Sequence, residues 1–357
     1  MKWHDYVIAY EDEVIELWGA SRKPSRESLF VLGEGFDPRA LTALRAFAAL
    51  KSHDTVTVAV IELPRGRDSQ SAVSFVEENS AGLADLASSA GFTVVRIELP
   101  VADRLTVGQV ISQRLQGSSL IPRDGLVVID VSALPYTFAF PIIGGMLASA
   151  EQGIFRGDLQ VTVCENPELD KLIVEEGAAD PGPLGGFSYG WTKASDDTVR
   201  IWAPVLGERQ GEQLATLYAY LEPNETMPVL PFPAVNPRRA DDLVVELREL
   251  LFDTMKVVPS SFIYAHETNP FDVYRALWRL NERLQRALEP LGRPTLVTSV
   301  HGSKMLSIGV LLASRECRLP LIATSPSDYL IPVGVDLPRL GAASRLSCVW
   351  LAGEPYQ

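Results

Sequence analysis

Hydrophobic and polar positions follow two alternating rhythms along this chain. Near-continuous apolar runs at 28–33, 55–63, 92–99, 125–131 and 159–164 have the length and β-branched content of strands buried on both faces. Between them, 41–50, 72–90 and 106–115 carry apolar residues at helical spacing. The stretch before residue 28 reads as a short hairpin or cap. From 199 the alternation resumes: strands at 199–207, 227–233, 261–265, 295–299 and 319–324, with helices at 211–221, 241–256, 271–288 and 303–315. A run at 346–351 reads as the last edge strand. Residues 165–197, with Pro-Gly-Pro and Gly-Gly and no sustained period, read as a connection holding one short helix. Strands alternating with amphipathic helices predict an α/β protein of two Rossmann-like domains with mostly parallel, doubly wound sheets. The expected divisions are 1–164, a connecting segment 165–197, and 198–357. The second half resembles the first in plan without visible sequence repetition.

Chain length agrees with two domains, since 357 residues exceed one ordinary core. The hydrophobic share of 46% and charged share of 22% are those of a folded globular chain. A net charge of −13 opposes bulk attraction to nucleic-acid phosphates, leaving only local basic patches such as Arg238-Arg239 or Arg275, Arg279 and Arg283. Three cysteines without C-x-x-C spacing and four histidines without an H-x-x-x-H pair predict neither a disulfide framework nor a metal site. The first residues lack the basic patch and apolar core of a signal peptide, so a cytoplasmic location is expected. Residues 125–150 are long and apolar enough to span a bilayer, but Asp130, Pro135 and Pro141 interrupt them. A buried strand, a turn and a buried helix are expected there, and no membrane partner.

Ligands of open α/β sheets bind outside the carboxyl ends of the strands, which directs attention to the loops that follow them. After 295–299 comes Thr298-Ser299-Val300-His301-Gly302-Ser303-Lys304, a strand, an anion-sized turn and a helix start. Unpaired N–H groups and the positive end of the helix dipole would make Gly302, Ser303 and Lys304 face a phosphate or carboxylate. The loop is not a Walker A motif, because Val297 and Met305 stand where glycine and Ser or Thr are required. Gly33-Glu34-Gly35-Phe36-Asp37-Pro38-Arg39 has G-x-G without the third glycine. Gly33 and Gly35 allow close backbone approach, Asp37 reads hydroxyls or caps the helix, and Arg39 binds an anion. His266-Glu267-Thr268-Asn269-Pro270-Phe271-Asp272 offers an imidazole, two carboxylates and an amide, or an ordinary turn into a helix. If the strands at 261 and 295 are neighbours, His266 and His301 share a cleft. Asn236-Pro237-Arg238-Arg239 reads as a surface turn; the loops 208–210 and 324–328 complete this edge. A serine nucleophile at Ser299 or Ser303 beside His301 has little basis without a G-x-S-x-G elbow.

The order Thr-Ser-x-x-Gly-Ser-Lys-Met-x-Ser-x-Gly from Thr298 to Gly309 resembles the Gly-Thr-Lys loop of CARF-type Rossmann domains, which sense cyclic oligonucleotides in CRISPR-associated proteins. The resemblance covers about a dozen residues, with His301 where a glycine is usual. It implies that Thr298, Gly302, Ser303 and Lys304 contact a nucleotide phosphate, in a prokaryotic immune or stress setting where a separate subunit carries the effector activity.

The expected function is therefore a binding or sensor subunit for a nucleotide or another phosphorylated metabolite, acting through a protein partner or homo-oligomer. Its ligand set is Thr298, Ser299, His301, Gly302, Ser303, Lys304, Asn269, Asp272, Gly33, Gly35, Asp37 and Arg39, with no resident cofactor. The alternative is a nucleotide or sugar-phosphate transferase or hydrolase, with Glu267 or Asp272 as base and His301 or His266 as acid. A structural subunit with an empty pocket is the third reading.

Overall fold

The computed structural model describes residues 1–22, 26–50, 55–63, 70–100, 102–170, 172–176, 180–193, 199–288, 294–324, 328–330, 339, 341 and 343–356. His53, residues 194–198 at the expected domain boundary and Ser325–Ser327 of the 324–328 loop lie outside the described residues.

The chain forms two compact units, one of residues 5–175 and 328–357, the other of residues 1–4 and 176–327. Each contains a mostly parallel sheet, so the α/β class and the two Rossmann-like sheets read from the sequence are those of the structure. In the first unit the parallel strands are Glu27–Glu34, Thr55–Glu62, Thr93–Ile97, Leu126–Asp130 and Asp158–Glu165, each within a few residues of its apolar run. Numbered along the chain, they lie side by side in the order 3-2-1-4-5. All five residues of Leu126–Asp130 are buried, as a central strand covered by helices on both faces requires. Of the apolar stretch 125–150, the second half is the helix Tyr136–Glu151, eleven of whose residues are buried. No helix among the described residues is long and apolar enough to cross a membrane.

Arg345–Ala352 is not an edge strand of the second sheet. It inserts antiparallel between Asp158–Glu165 and the N-terminal strand Val7–Tyr10, completing seven strands in the first unit. A one-letter pattern shows that this run is apolar, but its partner is chosen by tertiary register. At the other end of the chain, Trp3 is buried edge-to-face on Tyr274, with ring centroids 5.5 Å apart, within the second unit. Both ends thus depart from the expected divisions at 1–164 and 198–357.

The second unit repeats the order of the first. Arg200–Val205 pairs on one side with Thr295–Val300 and on the other with Val229–Pro231, which in turn pairs with Ile263–Ala265. A parallel bridge from Thr298 to Leu321 supplies the fifth position, and the order is again 3-2-1-4-5. One helix departs from the sequence pattern: in place of a continuous α-helix over 241–256 there is Arg239–Glu246 followed by a π-helical turn, Glu249–Thr254. Leu243, Leu247, Leu251 and Met255 are all buried in one cluster. A strict four-residue repeat drifts about 40° per step around a 3.6-residue helix, and a wider turn takes that drift back.

Candidate functional site

In each unit the direction of winding reverses between the first and fourth strands, leaving a crevice at their carboxyl ends. In the second unit those ends are Val205 and Val300, and the loops that follow touch backbone to backbone. The His301 N–H donates to the Val205 carbonyl at 2.9 Å. A Cβ on Gly207 would stand 1.6 Å from the His301 carbonyl oxygen, and one on Gly302 would stand 3.0 Å from that of Leu206. Glycine at both positions is what lets the two loops close on each other. Ser303 then caps the helix Lys304–Cys317, its Oγ accepting from the Leu306 N–H at 3.4 Å. Gly302, Ser303 and Lys304 are partly exposed at this edge, at the positive end of a 14-residue helix.

Two of the expected ligand residues point into the protein. Thr298 is fully buried, with its Oγ1 3.0 Å from the Ser314 Oγ and 3.3 Å from the Pro320 carbonyl, so it braces the helix and offers a ligand nothing. Ser299 is also fully buried; its Oγ accepts from the Trp202 indole N–H at 3.0 Å and lies 3.0 Å from His301 Nε2. His301 is half-buried as a residue, and loss of solvent around its imidazole lowers its pKa from 6.5 to about 3, which favours the neutral ring.

His266 and His301 do not share a cleft. The strands at 263 and 295 are separated by Arg200–Val205 and Val229–Pro231, which places the two loops about 14 Å apart at three strand spacings. The reason is the reversal itself: the helix Pro270–Leu288 carries the chain from one edge of the sheet across to the far side of the first strand. The 266–272 residues mostly build that helix start. The Asp272 carboxylate accepts from the His266 N–H at 3.2 Å, the Asn269 Oδ1 accepts from the Phe271 N–H at 3.0 Å, and His266 Nδ1 accepts from the Thr268 N–H at 3.3 Å.

Glu267 takes a different part, and with it a residue read as a surface turn. Arg239 holds Glu208 through two contacts of 2.8 and 2.9 Å and also pairs with the buried Glu267, whose other oxygen accepts from the Val235 N–H at 2.7 Å. One guanidinium therefore ties together the loops after the first, second and third strands. The signal present in the sequence was two acids and a base in three successive post-strand loops. Arg238, next to it, is exposed.

The crevice of the first unit is closed by side chains. A Cβ on Gly33 would meet Leu134 Cδ1 at 3.0 Å, and one on Gly35 would meet Leu63 Cδ1 at 3.2 Å. Asn79 donates to the carbonyls of Gly35 and Asp37 at 2.8 and 3.0 Å. Asp37 and Arg39 are bound to each other at 3.0 and 2.8 Å, and Arg39 reaches Asp170 at 2.7 Å. Burial works against the Arg39 charge, but Asp37 and then Asp170 outweigh it and hold its pKa above the ordinary value. Nearby, buried Asp130 accepts from the Ser132 N–H at 3.1 Å and lies 3.3 Å from the Thr162 Oγ1. An aspartate ending an apolar strand was the sequence signal for this network.

No family model matches the chain, and no curated protein does. Among solved structures, a universal stress protein from Archaeoglobus fulgidus DSM 4304 is similar at 10% identity, covering 84% of this chain and 96% of that one with a TM-score of 0.24. A protein described as a universal stress protein from Pseudomonas aeruginosa UCBPP-PA14 is similar at 12% identity, covering 91% and 98%, again with a TM-score of 0.24. Likenesses of this size carry no argument about ligand or activity; strand order and loop geometry do.

Proposed function

We propose that the second unit binds a nucleotide or another phosphorylated metabolite at its switch point, with the 301–304 loop as the anion seat. The observation that carries this reading is the closure of two glycine-bearing loops directly over the reversal point, which delivers Gly302, Ser303 and Lys304 to the start of a long helix. Binding is favoured over turnover by the state of the acid–base candidates. The His301 Nε2 is engaged by Ser299, Glu267 is engaged by Arg239, and Asp272 and the His266 Nδ1 are engaged by backbone N–H groups at the start of the following helix. The CARF-like loop adds a finer form of the proposal: a sensor in prokaryotic immunity that recognises a cyclic oligonucleotide and acts through a separate effector subunit.

The test is mass spectrometry of small molecules released from the purified full chain, run beside Lys304→Ala. A phosphorylated compound carried by the parent and lost from the variant supports the reading and names the ligand. A linear nucleotide or sugar phosphate in place of a cyclic oligonucleotide removes the sensor form. Equal retention by both proteins removes the 301–304 loop as the seat.

A further inference from the structure

We infer that Trp202 and Ser299 lock His301 as a neutral imidazole in the Nδ1–H tautomer, so that it meets the ligand as an uncharged hydrogen-bond donor to an acceptor oxygen. The ligand half of this inference rests on the binding reading above; the tautomer half does not.

Donors and acceptors around the Ser299 hydroxyl decide the tautomer. An indole N–H can only donate, so the Ser299 Oγ accepts from Trp202 across 3.0 Å. Both residues are completely buried, and the serine's own proton needs an acceptor. His301 Nε2, 3.0 Å away, is the acceptor at hand. Were Nε2 protonated, the hydroxyl would receive two N–H groups and its own proton would be stranded without a partner, a cost of about 1–3 kcal/mol in a buried site. Nε2 therefore accepts, and in a neutral ring the proton sits on Nδ1. An imidazolium, which donates from both nitrogens, meets the same conflict, so the relay opposes charging in the same direction as burial does.

Strand geometry makes the relay. Trp202 stands opposite Val297 in the parallel register, and Val297, Ser299 and His301 alternate onto one face of their strand. The His301 backbone is fixed, its N–H bonded to Val205 and its carbonyl close against Gly207, and the ring is tied to the strand through Nε2, 3.0 Å from the Ser299 Oγ. Of the charged groups on the elements packed around it, Glu208 on the facing loop is engaged by Arg239, and Lys304 opens the helix that follows. A neutral donor keeps its proton from pH 6 to pH 8, whereas a charged histidine loses one across that range.

Long-range nitrogen–proton correlation spectra of the full chain, labelled at histidine and assigned by loss of a signal in His301→Gln, read the tautomer directly. The expected result is a protonated Nδ1 and an unprotonated Nε2, unchanged from pH 5 to 8. A protonated Nε2, or titration within that range, overturns the lock. In Ser299→Ala, and independently in Trp202→Phe should the first variant fold poorly, the Nδ1–H form gives way to a mixture; persistence of a single Nδ1–H form in both also overturns it. Inorganic phosphate is the probe for the ligand half. It should shift the His301 Nδ1–H signal together with the backbone amides of Gly302 and Lys304. Amide shifts without a response at Nδ1 overturn the donor role while leaving the binding reading intact, and no response at any of them counts against the binding reading while the tautomer stands by its own measurement.

Discussion

The two units place the same strand order under two different kinds of crevice. In the first, side chains close the reversal point: Leu134 and Leu63 sit where Gly33 and Gly35 leave room, and Asp37, Arg39 and Asp170 satisfy one another. In the second, backbone closes it: the 206–207 and 301–302 segments lie against each other, and the side chain at the rim is a histidine steered from beneath by Ser299. The first arrangement spends its charged groups on stability. The second leaves a helix start and a positioned ring at its edge. A shared order of five parallel strands thus does not imply a shared use, because the fold supplies a location and the loop side chains decide what occupies it.

Breaking the ion triad of the first unit should have the largest effect on stability. Arg39→Leu leaves Asp37 in a mostly buried position without its cation, and we expect a loss of about 3–5 kcal/mol in denaturant unfolding. A loss below about 1 kcal/mol would mean that water reaches Asp37 and that this crevice is more open than its packing indicates. The glycines come next and test the contrast most directly. Gly207→Ala drives a methyl into a backbone carbonyl that cannot rotate away, which should cost about 2–3 kcal/mol. Gly33→Ala meets mainly the end of the Leu134 side chain, which can change rotamer, and should cost less than about 1.5 kcal/mol. Equal costs would erase the distinction between a backbone closure and a side-chain closure.

The last test is a dependence on pH. The folded-state pKa of His301 lies near 3 against 6.5 unperturbed, so between these values the unfolded chain binds a proton that the folded chain does not. Its contribution to stability is complete above pH 6.5 and is lost progressively as pH falls toward 3, by at most about 1.4 kcal/mol per pH unit. His301→Asn should therefore show a shallower fall in unfolding free energy between pH 6.5 and 4 than the parent chain. Parallel curves for the two proteins would show that the ring is solvated and ordinary.

Much of this architecture was legible in the chain. Buried parallel strands must be apolar along their whole length and their covering helices apolar on one face, so the periodicity alone located the five core strands of the first sheet and most helices of both units. A strand-to-helix turn of glycine, serine and lysine at 302–304 was likewise a local feature, visible because helix capping is local chemistry. What the tertiary structure decided was every matter of neighbourhood. An apolar run at 346–351 carries no record of which sheet it will join, and the π turn at 249–254 accompanies the burial of Leu247, Leu251 and Met255 in one core. His266 and His301 follow similar strands yet stand on opposite sides of the reversal. Arg239 and Trp202 had no partners in the sequence, and acquired them when Glu208, Glu267 and Ser299 were brought alongside. Spacing along a chain encodes what a segment buries, but hydrogen bonds and ion pairs act over a few ångströms, and only the folded arrangement of strands sets which residues come within that reach.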